Sequence, residues 1–247
     1  MKHWIVCRHA TGALAALVGF LAMGAAAETT NTLSDAEIQG RQLARQLCES
    51  APKENFTNSG AHQISDGNSR NELPLKYETI ITPTNWYVLY TVGISVIKIS
   101  HNGYNQNKYE FQTGTGKTLN LCGNDLMTPF AGSDFWIADL GLEFFHWPQQ
   151  KVLKKEFHRQ CACTVLESTN PNPTTNGYSR VVSWIDEDSL GIVEAFAYDV
   201  NGKKLKNFYP KSFEKDKASG QYQVQSMIME NLQTGSRTRL EFDLKKP

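Results

Sequence analysis

No Gly-x-Ser-x-Gly elbow, no His-Glu-x-x-His pair and no glycine-rich dinucleotide fingerprint occurs in the chain. That removes the usual sequence signs of a serine hydrolase, a zinc peptidase or a nicotinamide enzyme. Net charge is missing as well, since 25 Lys and Arg balance 25 Asp and Glu. Nucleic-acid binding calls for a basic patch, so no nucleic-acid partner is expected. Histidines beyond the first ten residues are confined to His62, His101, His146 and His158, and none sits in a triad context. The stretch Thr113–Thr118 imitates a phosphate-binding loop, but Phe111 stands where that motif needs its first Gly and a poor helix former follows. It reads as a Gly-rich hairpin turn instead. Long apolar runs are also absent: the one candidate, Thr11–Gly24, is too short to span a bilayer securely.

That run belongs to a secretory signal peptide, Met1–Ala27. Lys2 and Arg8 make a basic start, and Ala25-Ala26-Ala27 fits a small-residue cleavage site with the cut after Ala27. Its loss leaves 23 basic against 25 acidic residues, a mature net charge of about −2. Four cysteines then remain, Cys48, Cys122, Cys161 and Cys163. An even number in an exported chain suggests disulfides. Cys161 and Cys163 would share one strand face and are badly placed to join each other, so each is expected to pair with a distant cysteine. A metal site from Cys161, Cys163, His158 and His146 matches no common zinc spacing. No metal and no cofactor is expected.

Residues 28–72 read as a helix followed by a polar loop, continuous with a single domain over 73–247. Ser34 and Glu37 form a capping box for a helix over Leu33–Ser50, with Leu33, Ile38, Leu43 and Leu47 together with Ala36 and Ala44 as its apolar stripe. Ala51–Glu72 is polar, with room for one short strand near His62–Ile64. From Leu73 on, strands and turns dominate. Asn85–Val92 carries Trp86 and Tyr90 in a run that is apolar on both faces, Asn201-Gly202 marks a hairpin, and Arg237–Asp243 alternates with Leu240 and Phe242 pointing inward beside Leu244. The spacing suits an antiparallel barrel or sandwich.

One stretch stands apart, Phe130–Trp147. Ser133 is placed to cap a helix over 133–147, and Trp136, Leu140, Phe144 and Trp147 follow a helical spacing along one face. That aromatic face is either ordinary core or the cover of an apolar cavity.

Phe130–Phe135 with Asp139-Leu140, Val165–Ser168, Trp184–Asp186, Tyr198–Lys206 and Gly235–Phe242 occur in the order of similar stretches in the LolA-like outer-membrane lipoprotein-sorting family. The chain resembles that family over roughly Leu75–Leu244. The Cys161-x-Cys163 pair and the polar Ala51–Glu72 segment depart from its pattern. The resemblance implies a mainly β (α+β) fold: a half-open antiparallel β-barrel with helices covering an apolar cavity. It implies a non-enzymatic periplasmic carrier of lipoprotein or lipid acyl chains, with inner- and outer-membrane transport proteins as partners. An envelope-stress lipid-sensing module acting by protein–protein contact is the alternative. Trp86, Tyr90, Trp136, Leu140, Phe144, Trp147, Leu240 and Phe242 are the expected cavity and lid residues.

Overall fold

The structure, a computed structural model, describes residues 32–114, 116–215 and 222–243. The signal-peptide reading of Met1–Ala27 and the inward placement of Leu244 lie outside the described residues. The chain opens with α1 (Asp35–Glu49), where the Ser34 backbone N–H donates to Glu37 Oε2 at 2.8 Å and the Glu37 N–H to Ser34 Oγ at 3.4 Å. The expected capping box is therefore formed. The buried face takes in only part of the expected stripe, Ala44 with Leu43 and Leu47 half-buried beside it. It consists of Gly40, Ala44 and Cys48 at helical spacing, while Leu33 and Ile38 are exposed. Small residues let the helix lie close against its support.

Twelve-residue β2 (Arg70–Ile81) follows β1 (Phe56–Ser65). The expectation of a polar loop over Ala51–Glu72 is thus corrected: most of that segment is strand. The sequence conceals it because few of its side chains are apolar, and in β1 only His62 is fully buried. Next come β3 (Trp86–Val92), β4 (Ser95–Asn102), β5 (Asn105–Gln112) and β6 (Thr118–Leu121). After a long connection the chain resumes with β7 (Gln149–His158), β8 (Cys161–Thr169), β9 (Arg180–Asp186) and β10 (Ile192–Tyr198). It ends with β11 (Lys204–Lys215), β12 (Tyr222–Asn231) and β13 (Arg237–Asp243). In β3 the buried residues Val88, Tyr90 and Val92 alternate with half-buried ones, the period of a pleated strand.

The thirteen strands of the described residues form one antiparallel sheet in the order β6-β5-β4-β3-β2-β1-β13-β12-β11-β10-β9-β8-β7. Every strand pairs with its neighbour in sequence except at one seam, where β1 pairs with β13 from Ser59↔Asp243 to Ser65↔Arg237. That seam joins two meanders, β1–β6 and β7–β13. The two sheet edges, β6 and β7, are consecutive in the chain, so the connection between them must travel from one edge to the other. It does so across the sheet: the Asp134 N–H donates to Thr238 Oγ1 of β13 at 2.9 Å, and Asn107 Nδ2 of β5 donates to the Gly141 carbonyl at 2.9 Å.

This crossing segment is the aromatic stretch singled out in the sequence, and it is not one helix. It is a string of short turns at Phe130–Gly132, α2 (Ile137–Leu140) and Glu143–His146. Gly141 ends α2, and Leu142 takes a left-handed backbone with φ 50°. A Cβ at Gly141 would lie 2.2 Å from the Tyr109 hydroxyl, so the chain passes too close to β5 for any side chain there. Ser133 does not cap a helix; it is buried, and its hydroxyl meets the Phe135 backbone.

The crossing segment supplies much of the core. Phe130, Phe135, Ile137 and Leu140 pack with Leu75, Val88, Tyr90, Ile97, Leu240 and Phe242. Phe144, Phe145 and Trp147 pack with Ala44, Cys48, Leu166, Tyr178 and Ile185. Each such large apolar side chain contributes about 1.5–3 kcal/mol when fully buried. Gln150 holds the end of the segment on the edge strand: its Nε2 donates to the carbonyls of Phe144 at 2.9 Å and Trp147 at 2.8 Å, while its Oε1 accepts from Ser168 at 2.7 Å. The helix α1 covers β7, and Arg45 also lies over the Tyr104 ring, 5.4 Å from its centre, at the β4–β5 turn. It thereby reaches from one meander toward the other.

The expected disulfides are not formed: Cys48, Cys161 and Cys163 are thiols. Cys161 and Cys163 do share a strand face, as their spacing predicts, with Cys163 buried and Cys161 half-buried. Cys48 is buried under α1 instead of facing them, and burial pushes its thiol up to about 12.

Candidate functional site

A cavity of about 620 Å³ lies between the crossing segment, the sheet and the C-terminal end of α1. Its volume is within the roughly 300–1,000 Å³ of small-molecule sites. The crossing segment contributes Phe135, Leu140, Leu142 and Phe145, and the sheet contributes Tyr90, Phe208, Pro210 and Met227. Leu47 of α1 and Leu190 and Ile192 at the β9–β10 turn complete the apolar wall. Phe213 and Val224, directly opposed on β11 and β12, line it as well and are 54% and 39% exposed. The cavity therefore reaches solvent at an apolar rim.

Two of the eight residues expected from sequence, Tyr90 and Leu140, line this cavity. Leu240 and Phe242 are buried in the core beside it, as their inward alternation predicts. Trp86 stacks on His101 across the β3–β4 ladder, with ring centres 3.8 Å apart. Phe144 and Trp147 are buried behind the wall, and Trp136 stacks on Tyr178 at 4.4 Å. Leu142 and Phe145 escaped the sequence reading because they fall off the face that an unbroken helix would present. Met227 was legible as one face of an alternating strand, but nothing local identified which face looked into a cavity.

Charged lining groups are sparse. Arg159 is paired with Glu194, Nη2 to Oε1 at 2.7 Å, and the Asp186 carboxylate accepts from the Ser189 N–H at 3.0 Å. Of the proposed metal ligands, His158 Nε2 lies 2.7 Å from Glu194 Oε2, and His146 Nδ1 lies 3.3 Å from the Tyr104 carbonyl. Asp139 is the buried one. Its Oδ2 accepts from the Trp136 N–H at 2.7 Å and the Tyr178 hydroxyl at 3.0 Å, and Lys206 Nζ stands 3.6 Å away. Lys206 also donates to the Asp134 carbonyl at 2.6 Å and lies 3.7 Å over the Trp136 ring. Asp134 in turn accepts from Ser236 at 2.6 Å and Thr238 at 2.8 Å. Burial pushes the Asp139 carboxyl up, opposed by Lys206, and pushes Lys206 down to about 8. This knot draws together three of the sequence stretches noted above: Phe130–Leu140, Tyr198–Lys206 and Gly235–Phe242. Their motif residues bolt the crossing segment to the sheet.

A second bolt ties the Tyr109 hydroxyl to Glu143 Oε2 at 2.8 Å, where burial pushes the carboxyl up to about 7. Near the end of β4, burial and then the charge of His146 hold His101 down to about 4. The folded state favours the neutral ring, so this contribution is intact above the unfolded value and is lost as pH falls from 6.5 toward 4. At 1.36 kcal/mol per unit, the loss is up to about 3 kcal/mol. Thermal unfolding followed from pH 7 to 4 is expected to show it, and His101→Phe, which keeps a ring on Trp86, should flatten the slope. An unchanged slope in that variant would assign the acid sensitivity elsewhere.

Three solved structures share the architecture. A domain named for outer-membrane lipoprotein sorting, from Vibrio parahaemolyticus, is 16% identical with a TM-score of 0.70, covering 84% of this chain and 92% of its own. A DUF1329 family protein from Desulfovibrio piger is 18% identical with a TM-score of 0.68, covering 87% and 96%. A LolA superfamily protein from Nitrosomonas europaea is 16% identical with a TM-score of 0.59, covering 84% and 95%. A family model described in the words "uncharacterized protein" matches residues 91–245. The chain belongs to that family, and its fold is LolA-like. No curated protein matches it. The LolA-like fold is an open thirteen-stranded sheet here, with the crossing segment and α1 in place of a closing strand pair. The matched region takes in the whole crossing segment and both partners of the Asp139–Lys206 knot.

Proposed function

We propose that the chain is a non-enzymatic periplasmic carrier that holds acyl chains of lipoproteins or related lipids in the 620 Å³ cavity. The observation that carries this reading is the apolar wall built jointly by the crossing segment and the sheet, open at the Phe213–Val224 rim. Burial of apolar surface is worth about 25 cal/mol per Å², so a hydrocarbon chain needs only a greasy concavity to bind. Leu140, Leu142 and Phe145 belong to the same segment that seals the sheet, so cargo competes with the segment's own packing, which supports release. Membrane transport proteins on the two sides would deliver and receive the cargo.

Protein purified from a membrane-containing host is expected to retain a lipid mass under native mass spectrometry, and emptied protein to take up a fluorescent acyl probe. Met227→Trp narrows the cavity without adding charge and should weaken probe binding about tenfold or more, equivalent to about 1.4 kcal/mol. A clean protein mass together with no probe uptake would overturn the proposal.

A further inference from the structure

We infer that a side pocket beside the main cavity receives a hydroxyl group carried by the acyl ligand, so that the protein favours hydroxylated chains over plain ones. The inference rests on the carrier reading. The pocket measures about 20 Å³ and shares Asp139, Leu142 and Phe208 with the main cavity. A space of about 10–15 Å³ holds one water, so the pocket admits one water or one hydroxyl and nothing larger. Its remaining wall includes Tyr178, Ala197 and Lys206.

The polar atoms around it are incompletely used. The Asp139 side chain is 8% exposed, and its Oδ2 takes all of its neighbours: the Trp136 N–H, the Tyr178 hydroxyl and Lys206. Oδ1 has no hydrogen-bond partner among the described residues. Lys206 Nζ carries three N–H groups, of which one goes to the Asp134 carbonyl, one leans toward Asp139 and one faces the Trp136 ring. A hydroxyl has one donor and two acceptor sites. Its proton can go to Asp139 Oδ1, a charge-assisted hydrogen bond. A methylene in the same place leaves Oδ1 without a donor, and a fatty carboxylate is repelled by Asp139.

The test is competition against a fluorescent acyl probe by the methyl ester of a saturated fatty acid and by a series of its monohydroxylated analogues, the hydroxyl moved along the chain. Hydrogen bonds to charged groups are worth about 1.5–3 kcal/mol, so the best analogue should displace the probe at a concentration at least about tenfold lower than the plain ester. Ala197 lines the side pocket and not the main cavity, so Ala197→Val fills it from the far wall. In that variant the plain and hydroxylated esters should bind alike. Equal binding of all the esters by the native protein overturns the inference and leaves the carrier reading standing. So does a hydroxyl preference that survives in Ala197→Val. Failure of every ester to bind removes both.

Discussion

Asp139→Ala is expected to destabilise the protein by about 3–5 kcal/mol, the cost of leaving one partner of a buried ion pair alone. Lys206 and Asp139 have side chains only 4% and 8% exposed. The change also orphans the Trp136 N–H and the Tyr178 hydroxyl, which donate to the same oxygen. Lys206 would keep only the Asp134 carbonyl and the faces of Trp136 and Tyr178. Asp139→Asn retains an acceptor and a similar shape and should cost less. Urea unfolding of the three proteins measures the difference. A loss below about 1 kcal/mol for Asp139→Ala, the range of exposed ion pairs, would show that water reaches the knot. The substitution acts on the element that walls the cavity, so binding of an acyl probe should weaken along with stability.

Gly60→Ala is expected to be comparably severe for a different reason. Gly60 lies opposite Phe242 in the seam between β1 and β13. An added Cβ would fall 1.8 Å from the Glu241 carbonyl oxygen and 2.8 Å from its carbon. Both are backbone atoms, so no rotamer change relieves the clash and the strands must part. Overpacking of a rigid site costs about 1–3 kcal/mol and sometimes more. The seam is the single pairing that joins the two meanders among the described residues, so strain there loosens the whole sheet instead of one hairpin. The expected result is a lowered unfolding midpoint together with faster amide exchange along both β1 and β13. Ser59→Ala, one residue away at an exposed position, should stay within about 0.5 kcal/mol of the native protein. Faster exchange confined to β1 would show that the seam gives locally and that the halves are held together by the crossing segment.

Much of the architecture was legible where the signal is local. The Ser34–Glu37 box announces α1, Asn201-Gly202 announces the β10–β11 hairpin, and alternation marks β13 at the bounds observed. The misreadings share a cause. Trp136, Leu140, Phe144 and Trp147 fit a helical period, yet a string of short turns produces the same spacing once Gly141 and Leu142 reverse the backbone. The polar run Ala51–Glu72 hid most of β1 and the start of β2 at the middle of the sheet, because pattern reading weighs apolar residues and β1 is pinned by backbone pairing on both sides.

What the sequence by itself determined was therefore the inventory: a strand-rich chain, one capped helix, an aromatic stretch, and the family-like motifs in order. Those follow from interactions within a few residues, which side-chain period and turn chemistry report directly. Only the tertiary structure decided that β6 and β7 become opposite edges, so that the aromatic stretch must cross the sheet and bury its Asp139 against Lys206, 67 positions later. It alone decided that Leu142, Phe145, Phe208 and Met227 share a cavity with Tyr90 and Leu140 while Trp86, Trp136 and Trp147 do not line it. Strand order places residues distant in sequence side by side, and no local period encodes which of two faces, or which of two meanders, a side chain will meet.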